Sequence, residues 1–222
     1  MTNLWKFRIV AFVICLAMGG VSVTNLWAEI LRPAPSAFPD GSGAIPSAGD
    51  IDLARRAARI APDRSELQAD AALALAAETL HGTAGYRPDM NEEAQGAARQ
   101  ALAAGPLDSR LWLVLARLQA QRALRDPRIA ETLKLSYFTG PNLGNLIPAR
   151  LASVVAGDGL NDADLRELAR GDVRLILIRH QALKPGLIAA YRGAAPQGKQ
   201  FLEESIKSID PKFEPSLPRA LR

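Results

Sequence analysis

Cysteine is nearly absent. Cys15 stands alone among 222 residues, which excludes an intramolecular disulfide and a cysteine-based metal cluster. Aromatic residues make up only 5 % of the chain. No stretch alternates apolar and polar residues long enough to read as a convincing strand, so a sheet is not expected. Charge of one sign does not dominate either. The net charge is +4, with acidic and basic residues interspersed and no basic stripe interleaved with aromatics, so there is no nucleic-acid footprint. Neither a Gly-x-Ser-x-Gly elbow nor a glycine-rich phosphate loop is present.

The remaining candidates for chemistry are few. His81 and His180 lie far apart and lack a partner at metal-ligand spacing; His81 beside Gly82 reads as a helix end, and His180 as part of a basic one. The stretch DGLNDADLRE, residues 158–167, invites a calcium loop. From Asp162, however, the fifth position is Arg166 and the sixth is Glu167, where oxygen ligands and a glycine are needed. Asn161 or Asp162 as a helix cap is the better reading. Glu203 and Glu204 are adjacent, so on a helix they diverge onto a solvated face. Cys15 follows Ile14, whereas lipidation normally needs a small residue there. No catalytic, cofactor-binding or metal residue is therefore assigned, and no cofactor is expected.

What the chain does contain is one long apolar run. Residues 9–28 carry no charge, Lys6 and Arg8 precede them, and Glu29 follows. At 1.5 Å per residue such a helix reaches roughly 30 Å, the thickness of the hydrocarbon layer. Positive residues stay in the cytoplasm, which makes residues 1–8 a cytoplasmic stub and places the rest outside. A cleaved signal is the alternative reading; Ala28 with Leu26 makes a poor cleavage site, and Gly20 with Ser22 a better pair.

Residues 29–49 hold PAPSAFPDGSGAIPSAG, rich in Pro, Gly, Ser and Ala, and read as a flexible linker. Residues 50–213 read as helices almost without a break, including the apolar VRLILI at 173–178. Asn91 is expected to cap one helix, Asp108 another, and Asn142 or Asn145 a third; Pro127, Pro185 and Pro196 suit first turns. Gly140 suits a left-handed helix end, with Tyr137 and Phe138 packing between helices. Residues 196–210, with Phe201, Leu202, Ile206 and Ile209 on one stripe, suit a closing helix. Residues 214–222 carry two prolines and read as a loose tail.

A repeat emerges from the prolines. Pro62, Pro106 and Pro141 are each followed five residues later by leucine: Leu67, Leu111 and Leu146. The unit at residues 107–141, LDSRLWLVLARLQAQRALRDPRIAETLKLSYFTGP, resembles the tetratricopeptide repeat through Trp112, Leu115, Ala116, Ala130 and Pro141. Gln119 stands about where that family has a tyrosine. The resemblance implies an all-α fold of antiparallel helical hairpins stacked as a short TPR-like solenoid behind a single N-terminal transmembrane helix. It implies that Trp112 packs between the two helices of its unit, and that the repeats bind protein rather than catalyse.

An anchor, a linker and degenerate repeats together look like small Gram-negative proteins of envelope assembly or polysaccharide export. The expectation is a non-catalytic protein-binding scaffold, single pass in the bacterial inner membrane, with its C-terminal domain in the periplasm. Its expected partners are envelope proteins and, through the N-terminal helix, the membrane, with no nucleic acid and no small-molecule cofactor. Two alternatives are an accessory subunit of an integral membrane complex and, less favoured, a helical-hairpin enzyme acting on glycans, which would need two carboxylates across a cleft.

Overall fold

A computed structural model of the chain describes residues 2–34, 38–39, 45–82 and 85–213, with side chains from Trp5 onward. The expected tail, 214–222, lies outside the described residues, as does part of the linker. Among the described residues there are ten α-helices and no strand. These are α1 (Thr2–Leu31), α2 (Ala48–Ile60), α3 (Ser65–His81), α4 (Pro88–Ala104), α5 (Ser109–Arg122), α6 (Arg128–Thr139), α7 (Ile147–Ala156), α8 (Ala163–Ile178), α9 (Lys184–Gly193) and α10 (Pro196–Ile209).

Local chemistry sets most of the starts. Ser47 and Asp50 form a reciprocal capping box on α2, each accepting from the other's backbone N–H at 3.1 Å. Asp108 caps α5 by accepting from Arg110 N at 2.9 Å, and Asp162 caps α8 by accepting from Leu165 N at 2.9 Å. Pro88, Pro148, Pro185 and Pro196 occupy first turns, where a missing N–H costs no intrahelical bond.

Three expectations fail here for physical reasons. Asn91 does not cap α4, because Pro88 starts that helix a turn earlier; Asn91 is instead fully buried and donates to Leu118 O at 3.0 Å. Neither Asn142 nor Asn145 caps α7, which a short 3-10 turn at Gly144–Leu146 leads into without a side-chain cap. Gly140 is not left-handed, since its φ is −153°. Glycine is needed there for proximity: a Cβ would meet Ser109 Oγ at 2.4 Å and Leu143 Cδ1 at 2.8 Å.

One turn recurs before successive helices. Arg64 N donates to Ala61 O at 3.2 Å, Asp108 N to Gly105 O at 3.3 Å, and Leu143 N to Gly140 O at 3.3 Å. Each is a four-residue turn whose second residue is Pro62, Pro106 or Pro141, the position where proline's fixed φ fits. The turns also touch in order. A Cβ on Gly105 would sit 3.1 Å from Ser65 Cβ, at the start of α3, and Gly140 abuts Ser109 in the same way at the start of α5. Leu67, Leu111 and Leu146, each five residues past its proline, are all buried.

The odd-numbered helices form a row: α3 packs on α5, α5 on α7, and α7 on α9. Within it α4 lies against α3, α6 against α5, and α8 against α7. One hydrophobic cluster runs through α3 to α10, and α10 covers α7 and α8 through Phe201, Leu202 and Ile206. A second, smaller cluster joins α1 to the body: Ala28 is fully buried against Ala57, Ala58, Ala61 and Leu67. Arg32, just past α1, holds Asp70 of α3 at 2.7 Å, and Glu29 holds Arg64 at 2.7 Å.

Trp112 is half-buried, packed against the main hydrophobic cluster, and its indole N–H donates to Pro106 O at 2.8 Å. Leu113, beside it, is fully buried. Trp112→Ala should accordingly cost about 1–3 kcal/mol, from partial burial and one hydrogen bond. Leu113→Ala should cost about 2–5 kcal/mol. Urea unfolding of the two variants checks the order; a larger loss for Trp112→Ala would contradict this packing.

Candidate functional site

The row of odd-numbered helices carries an open cleft of about 690 Å³. Its lining includes small residues from three helices, Ala116 and Ala120 of α5, Ala152 of α7, and Gly186 and Ala189 of α9, beside the larger Leu80, Leu124 and Ile129. Small residues at such positions let another chain's backbone come close. Gly186 already uses this property, because a Cβ there would meet Pro148 Cβ at 2.7 Å. Arg117 and Gln121 supply the polar groups on the α5 wall, and Gln121 Nε2 donates to Thr79 O at 3.2 Å.

At Arg117 the cleft meets a notch that holds a piece of the linker. Phe38 is 8 % exposed and belongs to the main hydrophobic cluster. The Arg117 guanidinium carbon lies 5.9 Å from the centre of its ring, a cation–π approach. An Arg117 Nη1 hydrogen bond goes to the Pro39 carbonyl. His81 Nε2 is 3.1 Å from the same carbonyl oxygen and 3.4 Å from Arg117 Nη2. With a proton on Nε2, His81 donates to Pro39 O; without it, Nε2 accepts from Arg117.

A second polar group is sealed inside the body. Tyr137 of α6, Arg150 of α7 and Asp172 of α8 are exposed by 4 %, 0 % and 3 %. Tyr137 OH donates to Asp172 Oδ2 at 2.8 Å. Arg150 Nη2 donates to Gly140 O at 2.5 Å, and its guanidinium carbon lies 5.0 Å from the Tyr137 ring centre. Nε and Nη1 of Arg150 make no hydrogen bond, so the ring's π face supplies part of what they lack. Burial pushes the Asp172 carboxyl up to about 7, against the opposing pull of the Tyr137 hydrogen bond and the Arg150 charge. Burial first, and Asp172 second, push the Tyr137 hydroxyl well above its ordinary value. Perturbed acidities often mark active sites, but these groups face one another and not a cleft.

The other candidates settle elsewhere. His180 is exposed and precedes a 3-10 turn at Gln181–Leu183. Asp162 caps α8 and pairs with Lys134 at 2.9 Å, which together hold its carboxyl below the usual range. Glu203 does not stand on a solvated face: it is half-buried and accepts from Tyr191 OH at 2.5 Å. Phe138 is not a packing residue, being 65 % exposed while Tyr137 beside it is buried. Cys15 is exposed on α1. Among the described residues no three of His, Cys, Asp and Glu come together as a metal-ligating group.

Sequence reasoning missed the Phe38 notch and the Tyr137–Arg150–Asp172 group. The one signal for the first was a lone aromatic residue in a Pro/Gly/Ser/Ala segment. The second joins residues 35 positions apart in the case of Tyr137 and Asp172, beyond any local spacing rule. Compared with known proteins, the chain matches no protein-family profile, no curated protein and no solved structure.

Proposed function

We propose that the protein is a non-catalytic scaffold, held in a bacterial inner membrane by α1 with its helical body in the periplasm, and that the body binds another protein of the envelope. The small-residue cleft along α3, α5, α7 and α9 carries this reading, because it offers a long, shallow, mostly apolar surface suited to a polypeptide. The stacking reading, a short solenoid like the tetratricopeptide repeats, is supported by the recurring proline turns, their ordered contacts and the equivalent burial of Leu67, Leu111 and Leu146.

The anchor reading is supported by the helix itself. Trp5–Leu31 forms a 27-residue apolar helix, long enough to cross a membrane, though a signal sequence passes the same test. Its length is about 40 Å, so crossing leaves a turn or more beyond a hydrocarbon layer of ~30 Å. That surplus matches the last turn of α1, where Ala28 and Glu29 meet the body.

Alkaline phosphatase fused after residue 50 should be active in a Gram-negative host, and the product should stay with membranes through carbonate washing. A shorter, soluble product would mean a cleaved signal. For the scaffold, the full chain purified from detergent-solubilised membranes should retain a protein that Ala152→Trp loses, since the indole fills the cleft. An unchanged partner set on that variant would overturn the cleft as the binding surface.

A further inference from the structure

We propose that the His81–Arg117 notch is a recognition site for an aromatic–proline pair on a partner polypeptide, and that Phe38–Pro39 is the chain's own occupant of it, which the partner segment displaces. This rests on the scaffold reading and names the partner's chemistry.

The occupant shows what the notch selects. Proline cannot donate from its backbone nitrogen, so a segment that presents proline offers its carbonyl as the polar handle. Two side chains, from α3 and α5, converge on that one carbonyl. The ring before the proline is buried under the Arg117 guanidinium, a contact that an aliphatic residue cannot reproduce. Proline also fixes its own φ and biases the residue before it toward an extended backbone, so an aromatic–proline pair loses little freedom on docking.

The site is built to accept more than its present occupant. Arg117 belongs both to the notch and to the wall of the 690 Å³ cleft, so a segment entering at the notch can continue over the small residues of α5, α7 and α9. The linker connects α1 to α2 and must return to Ser47, where the capping box starts the next helix. A partner segment has no such constraint. Cis occupancy then works as a threshold. A short tether holds its ligand at an effective concentration in the millimolar range, so only a segment with further contacts along the cleft competes.

The experiment uses the full chain in detergent and the fluorescent peptide PAPSAFPDGSG, the sequence of residues 33–43. Phe38→Ala, which vacates the notch, should bind the peptide at least ten-fold more tightly than the wild type. Adding Arg117→Met should reverse that gain, and a peptide with alanine for its phenylalanine should not bind. If Phe38→Ala is too unstable to purify, the same peptide with benzophenone in place of phenylalanine should cross-link to the wild type near Arg117, and not to Arg117→Met. Phe38→Ala with no gain in binding, or cross-linking indifferent to Arg117, overturns the proposal and leaves Phe38 as core filling. The two readings fail separately. Peptide binding with a partner set unaffected by Ala152→Trp defeats the cleft alone, whereas loss of partner on Ala152→Trp without peptide binding defeats the notch alone.

Discussion

Arg150→Met is expected to lower the stability of the helical body by about 3–5 kcal/mol at pH 8, the scale of leaving a buried charge, here Asp172, without a nearby cation. Arg150 is fully buried, and it heads the largest such side chains in the protein. It is the cation that opposes the desolvation of Asp172, and its guanidinium closes the end of α6 through Gly140 O. Methionine keeps most of the volume, so the loss reads electrostatics and the hydrogen bond more than a cavity. Against a total of ~5–15 kcal/mol, the change is large enough to unfold a marginal body. At pH 5 the loss should shrink, because Asp172 then carries a proton and no longer needs a cation. Urea unfolding at the two pH values checks this, and an equal loss at both would assign Arg150 to packing alone.

Asp172 should also make the wild type less stable as pH rises. Its folded pKa is raised, to about 7 from an ordinary 3.8. A raised value means that the folded state holds the proton more tightly than the unfolded state. Its contribution is therefore fully present below about pH 4, is lost progressively as pH rises, and is gone above about pH 7. At roughly 1.4 kcal/mol per unit, the change across this window is on the order of a few kcal/mol. Asp172→Asn should flatten the profile between pH 5 and pH 8 while keeping an oxygen for Tyr137. Thermal unfolding across that range on both proteins provides the measurement. An identical slope in the variant would show that other groups set the pH dependence.

Much of the helical order could be read from local chemistry. Asp108 and Asp162 cap as the sequence implies, and Pro185 and Pro196 sit in first turns, because each of these roles depends on residues within one turn. VRLILI is helical, buried on one side by Val173, Ile176 and Leu177, which the length of the surrounding pattern favoured over a strand. Asn91 misled because two start signals, Pro88 and Asn91, compete within one turn and the earlier one won. Gly140 misled because a helix-end glycine has two uses, a left-handed backbone and a close approach, and sequence does not separate them. Trp112 matched a repeat position, but its polar edge found Pro106 O at the surface. The site was the least legible part. Tyr137, Arg150 and Asp172 come from three helices, and the notch joins His81 and Arg117 to a linker residue far from either.

The junction after α1 decides how the molecule can move. A composition like that of residues 33–49 suggests a body on a string, free to sample a hemisphere around its anchor. The structure instead bolts the last turn of α1 to α2 and α3 through Ala28, Glu29 and Arg32. For a chain anchored by α1, this converts a swinging load into a flag on a pole. Rotation of the helix about its own axis sweeps the cleft around a fixed circle at a fixed height above the bilayer. On the scaffold reading proposed above, a partner embedded in the same membrane would meet the cleft by lateral diffusion and rotation, at a height set by the α1 junction.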